Sequence, residues 1–228
     1  MSTPTGLPPR PRIQGLSDLI FGLALSISAL TLIGQQPNNP MQFSFSLGLY
    51  GFSFLILIGL WQQYSSVTSI LPAETSVLVD LNVALLFLVS IEPYLFNELF
   101  SAKEGLLASV SAVFSVDLAS MFLILTFFFL SLTTEEKHLI PTALLGRYRL
   151  RRNFTFVTAL IFMVSIIPYF GDTVVWSFIS GNTPYFISLR SVFWMVALGV
   201  SLGRRSVESH VLRKEAKTKS TPATAAGR

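Results

Sequence analysis

Residues 12–33 read RIQGLSDLIFGLALSISALTLI: a charged and hydroxylated opening, Arg12-Ile13-Gln14-Gly15-Leu16-Ser17-Asp18, followed by an apolar run to Ile33. At 1.5 Å per residue, a helix over 13–33 reaches about 30 Å, the thickness of a bilayer's hydrocarbon core. Five further apolar runs follow, at about Phe43–Tyr64, Val77–Phe96, Leu106–Leu132, Phe154–Phe170 and Tyr185–Leu202. Turn chemistry or charge separates them, as in GQQPNNPMQ at 34–42 and SGNTP at 180–184. Six such runs exceed what a soluble core needs. The expected fold is an all-α membrane protein with six transmembrane helices.

Composition agrees. Of 228 residues, 51% are hydrophobic and 12% charged, about half the usual charged share of a soluble domain. The 20 phenylalanines include the cluster Phe127-Phe128-Phe129. Without cysteine there is neither a disulfide framework nor a thiolate metal site. The two histidines, His138 and His210, fall outside the apolar runs, which removes a helical metalloprotease His pair and a membrane Ser–His dyad. No glycine-rich phosphate loop is present, nor a Thr-Val-Gly-Tyr-Gly potassium filter. The sequence therefore carries no enzyme signal and implies no cofactor and no resident metal. Its net charge of +4 sits mostly in connecting segments and the tail, a pattern for a lipid surface and not for a nucleic-acid groove.

Lys and Arg set the orientation. Arg10 and Arg12 precede the first helix, Lys137 to Arg152 lie between the fourth and fifth, and Arg204, Arg205, Arg213 and Lys214 follow the sixth. Six helices place all three groups on one side, with both termini cytoplasmic, and leave Lys103 alone on the other. The expected division is a disordered Pro-rich lead at 1–11, which lacks a signal-peptide cleavage pattern, a transmembrane domain at 12–205 and a disordered basic tail at 206–228. Trp176 and Phe178, within the loop between the last two runs, suggest an interfacial or re-entrant segment.

Several residues carry candidate chemistry. Ser17 and Asp18 suit a helix N-cap, and Arg12 and Asp18 are candidates to pair with each other or across helices. Leu23, Ile27 and Leu30 recur at spacings of four and three and share one stripe, with Ser26 and Ser28 beside it. Such a stripe is either ordinary lipid or helix contact, or a constriction that gates by dewetting, and periodicity does not separate the two. Asp117 lies mid-run in the fourth helix, Glu92 near the outer end of the third, and Arg190 one turn into the sixth. Intramembrane charges cost enough to suggest a proton or ion relay, against which stand buried pairing and snorkelling. A proton-coupled secondary transporter built on Asp117, with Arg190 as partner, is the alternative to a channel. Ser17-Asp18 and Ser115-Val116-Asp117 are a faint hint of a three-plus-three repeat.

Arg12-x-x-x-Leu16-Ser17-Asp18 at the start of the first of six helices resembles the Arg-x-x-x-Phe-Ser-Asp signature of the transmembrane protein 175 family, the lysosomal potassium channel and its prokaryotic relatives. Trp61 near the end of the second helix agrees, as do Leu81-Asn82, Leu86-Phe87 and Pro93 in the third. Leu16 stands where the family has Phe, and Gln62-Gln63-Tyr64 where it often has His. The resemblance implies a potassium-permeable cation channel of the single-repeat prokaryotic type, a homotetramer in the cell membrane. Its pore would be lined by the first helix of each subunit. Leu23, Ile27 and Leu30 would form the constriction, Ser26 a pore hydroxyl, and Arg12, Ser17, Asp18, Trp61 and Asn82 the packing and gating support. Potassium ions, the bilayer and three further copies of the chain are the partners it implies.

Overall fold

A computed structural model describes residues 12–34, 40–70, 76–101, 104–134, 142–180 and 183–220. The expected lead at 1–11 and the loop residues Lys103 and Lys137 lie outside them. The element order is α1 (Arg12–Gly34), α2 (Pro40–Thr68), α3 (Ser76–Ser101), α4 (Glu104–Thr133), α5 (Thr142–Ser165), α6 (Pro168–Asp172), β1 (Val174–Ser180), β2 (Thr183–Ser188) and α7 (Leu189–Ser220).

Four of these helices, α1 to α4, are long and apolar enough to cross a membrane. The chain is an integral, multi-pass membrane protein. In α5 and α7 an apolar half continues into an arginine-bearing half, Arg147 to Arg152 in α5 and the stretch from Arg204 in α7. The apolar half of each reaches the level of the other helices, and the charged half closes one end of the bundle. Neighbouring helices alternate in direction. Contacts gather the start of α1, the ends of α2 and α4, the starts of α3 and α5 and the far half of α7 at that same end. α1 packs on α2 and α3, α3 on α4, α4 on α5, and α5 on α7.

The core is aromatic. Phe122 stacks on Phe162, Trp194 lies against Phe52 and Phe114, and Tyr64 meets Phe21 and Phe128. Hydroxyls along the helices donate back to carbonyls three or four residues earlier, as Ser115 does to Ser111 and Thr158 to Phe154. In hydrocarbon this satisfies side chains that have no water to meet.

Four sequence expectations are corrected. The fold is not purely α: β1 and β2 form an antiparallel hairpin with Phe178 opposite Tyr185 and an irregularity between Val174 and Trp176. Residues 174–188, expected as an interfacial or re-entrant segment, thus form a two-stranded ribbon, because alternating β-branched and aromatic residues satisfy their backbone by pairing. The last helix starts at Leu189, not Tyr185. It runs on to Ser220, so residues 206–220 of the expected disordered tail are helical, and 221–228 lie outside the described residues. Near the start of that stretch, Glu208 is paired with arginines of α5 and α7. Finally, α5 starts at Thr142, so the arginines read as a connecting loop stand on a helix.

Candidate functional site

α1 has two unlike faces. Ser17, Phe21, Ala24 and Ser28, at spacings of four, three and four, are 0–2% exposed. On the opposite side Leu23, Ile27 and Leu30 are 57%, 40% and 60% exposed, and Leu16, Leu19 and Ile33 extend the same open stripe. The stripe read from periodicity is therefore a face that the other described residues leave uncovered. Ser26 lies on it. Its hydroxyl donates to the Gly22 carbonyl at 2.8 Å, so the lone pairs of Oγ are what it can offer outward.

Polar contacts hold the buried face at two levels. Near the start of α1, Ser17 Oγ lies 2.7 Å from the Tyr64 hydroxyl, which donates to Asn82 Oδ1 at 2.6 Å. Since a phenol has one proton and Asn82 takes it, Ser17 is the donor to Tyr64. One turn along the same flank, Trp61 Nε1 donates to Asp18 Oδ1 at 2.9 Å. Ser17, Asp18, Trp61 and Asn82, scattered over 66 positions of sequence, thus converge on one knot between α1, α2 and α3. α1 starts at Arg12, so Ser17 and Asp18 stand in its second turn and do not cap it; neighbouring helices engage them instead. The side chain of Arg12 lies outside the described residues.

Sequence reading missed the centre of this knot, Tyr64, which it named only as the close of the second apolar run and in Gln62-Gln63-Tyr64. It also missed the second level. Ser53 Oγ donates to Glu92 Oε1 at 2.6 Å and Ser28 Oγ to Glu92 Oε2 at 3.5 Å. Glu92 is fully buried, so it neither snorkels nor reaches an interface. Its partners lie 39 and 64 positions away, and no local pattern could have joined them. Gln63 is buried and accepts from Thr155 Oγ1 at 2.9 Å, tying α2 to α5.

Asp117 is also buried, with no hydrogen-bond partner for Oδ2 among the described residues. Arg190 is not its partner. The guanidinium lies at the other end of α5, where it donates to the carbonyls of Ser165 at 2.8 Å and Ala108 at 2.6 Å, to Ser111 Oγ, and to Ile166 and Ile167. It closes the end of one helix and binds it to another. The polar neighbour of Asp117 on α4 is Ser115, which accepts from Trp194 Nε1 at 2.8 Å. No group of three or more His, Cys, Asp or Glu among the described residues is placed to hold a metal.

No protein-family model matches the chain, and no curated protein matches it by sequence. Solved structures do match in fold. One is a homologue of the lysosomal potassium-selective channel TMEM175 from Chamaesiphon minutus. It is 15% identical, with 85% of this chain and 96% of that chain covered and a TM-score of 0.55. Another is a variant of the potassium channel MtTMEM175 solved with a nanobody–MBP fusion. It is 14% identical over 92% of this chain and 99% of that one, with a TM-score of 0.54. The chain has the fold of these channels. The coverage spans nearly their whole length, so the likeness concerns the complete helical arrangement and not one hairpin of it.

Proposed function

We propose that the chain is one subunit of a homotetrameric, potassium-permeable channel of modest selectivity, with no enzymatic turnover. All six long helices would span the membrane, with the arginine-rich end of the bundle and both termini in the cytoplasm of a prokaryotic cell. The observation that carries the reading is the division of α1. One face is pinned by Ser17, Asp18 and Ser28, and the other presents Leu23, Ile27 and Leu30 to whatever lies beyond the subunit. The whole-length likeness to two solved potassium channels supports the same reading.

Four such faces around one axis make three stacked aliphatic rings. Closed, they exclude water; open, they force an ion to shed part of its hydration shell, which costs sodium more than potassium. With no array of carbonyls to replace that water, discrimination stays modest. The Ser26 ring replaces a little of it. Ser17, Asp18, Trp61 and Asn82 act through position, by fixing the axial height and rotation of α1.

The test is potassium flux from purified protein in liposomes, with the subunit count from native mass spectrometry. Ile27→Asn puts an amide in the middle ring, and the expected result is higher flux with weaker potassium-over-sodium preference. Flux and selectivity equal to wild type would remove the pore assignment. A second reading, a proton-coupled transporter, draws on the buried Asp117, whose Oδ2 has no hydrogen-bond partner among the described residues. Under it, Asp117→Asn abolishes coupled uptake; under the channel reading passive flux persists in that variant.

A further inference from the structure

The ribbon of β1 and β2 stands at the end of the bundle away from the arginine-bearing halves of α5 and α7. At its root the Leu189 N–H donates to the Thr173 carbonyl at 2.8 Å. One residue on, Arg190 reaches the Ala108 carbonyl and Ser111 near the start of α4, so the root lies level with the end of a helix long and apolar enough to span a bilayer. In α6, just before the ribbon, Phe170 packs on Phe193 at 4.8 Å between centroids, whereas Tyr169 is 67% exposed.

Trp176 and Ser177, paired with Ile187 and Phe186, are successive residues of one strand and so point to opposite faces. Both are exposed, Trp176 to 67%, and Val174 and Val175 are open as well. Along β1 the other described residues therefore leave both faces uncovered. Charge does not solubilise them: from Thr173 to Ser188 the sequence holds no Asp, Glu, Lys, Arg or His.

Three surroundings compete for such a ribbon. In water, a lone pair of strands with nothing on its faces is marginal, and edges without charge invite further pairing. Deep in hydrocarbon, a two-stranded sheet leaves the N–H and C=O groups of its outer edges without partners, which that solvent does not tolerate. Between them, at the level of headgroups and ester carbonyls, apolar side chains leave water while the backbone edges still meet hydrogen-bonding groups. Indole and phenol rings, apolar in body and polar at the tip, favour that depth.

We propose that the ribbon, together with Tyr169, is a lipid-binding surface lying in the interface of the leaflet at this end, with Trp176 and Tyr169 as its anchors. Because the ribbon holds no cation, its ligand is the ester and headgroup region of neutral phospholipid, and no anionic headgroup is needed. The proposal requires only that the bundle sits in a bilayer, not that it conducts.

The test uses the full chain in phosphatidylcholine vesicles, with lipids brominated at a shallow or a deep acyl position as fluorescence quenchers. Trp61 and Trp194 also emit, so the share of Trp176 is the difference between wild type and Trp176→Phe. Shallow bromines are expected to remove most of that share and deep bromines a minor part, with no change when phosphatidylglycerol is added. The chain has no cysteine, so Ser177→Cys carries a single nitroxide; if Trp176→Phe does not fold, this label decides. At interfacial depth the nitroxide collides both with dissolved oxygen and with a water-soluble nickel complex. Stronger quenching by deep bromines, or a nitroxide that nickel does not reach, overturns the proposal in favour of hydrocarbon. No quenching by either lipid also overturns it: quenching by aqueous iodide then places Trp176 in water, and its absence places Trp176 under protein. Quenching that requires phosphatidylglycerol overturns the assignment to neutral lipid.

Discussion

Replacing Tyr64 with Phe removes one oxygen and isolates the knot at the start of α1. The ring stays, with its contacts to Phe21 at 5.7 Å and Phe128 at 6.2 Å between centroids, so no cavity larger than a hydroxyl is made. Lost are the 2.7 Å bond from Ser17 and the 2.6 Å bond to Asn82. Two interhelical hydrogen bonds at the membrane-protein average of about 0.6 kcal/mol each come to about 1 kcal/mol. Stranding the Asn82 acceptor adds a desolvation penalty of about 1–3 kcal/mol where water is excluded, and Tyr64 is 1% exposed and Asn82 7%. The stranded acceptor is therefore at least as large as the bonds themselves, and the expected loss is about 2–4 kcal/mol. Because the knot holds α1 in particular, the opening of its first turns should rise on the order of 30-fold or more. The assay is amide hydrogen exchange over residues 15–20 in detergent, alongside the unfolding midpoint. Tyr50→Phe is the control: that ring only leans on Phe54 at 6.1 Å, and its loss should stay within about 0.5 kcal/mol. If Tyr64→Phe exchanges and melts like Tyr50→Phe, α1 is not held by this hydroxyl, and the account of its pinned face fails.

Two other perturbations test the ends of the bundle. A Cβ on Gly171 would lie 2.7–2.9 Å from the Arg190 guanidinium, and that group is tied to five acceptors and cannot retreat cheaply. Gly171→Ala should cost about 1–3 kcal/mol in thermal unfolding, whereas Gly199→Ala, where a Cβ meets nothing within 4 Å, should cost none. At the opposite end, burial disfavours charge on Glu208, but hydrogen bonds from Arg151 and the charges of Arg151, Arg204 and Arg147 outweigh it and hold the carboxylate below its usual range. A depressed folded value means stability present above the unfolded carboxylate range, near pH 4.3, and lost as pH falls through the folded value. Wild type should therefore lose stability between about pH 4.5 and lower values by a step that Glu208→Gln lacks, measured by circular dichroism melts across pH.

The unequal legibility of this protein has a physical basis. Apolar runs report the bilayer directly, because no internal arrangement exempts a spanning segment from hydrocarbon; α1 to α4 were visible for that reason. The Leu23–Ile27–Leu30 stripe was visible as a period, yet its openness was not, since the same period serves a stripe buried against a neighbour. Boundaries failed where charge and structure part company. Arginines from Arg147 to Arg152 read as a loop but stand on a helix, and α7 runs on past its apolar half, through the ion-paired Glu208. Alternation in a stretch too short for a span went unread at 174–188, which became a hairpin.

What the sequence determined by itself is the solvent: a chain of long apolar segments, one basic face, and an opening motif on α1. What only the tertiary structure decided is which polar residues meet. Tyr64 between Ser17 and Asn82, Glu92 between Ser28 and Ser53, and Arg190 on the carbonyls that end α5 rather than on Asp117 are all contacts across helices. Inside a bilayer a polar side chain is satisfied by whatever neighbour the packing supplies, and helix packing sets that neighbour by rotation and depth, neither of which a local pattern encodes.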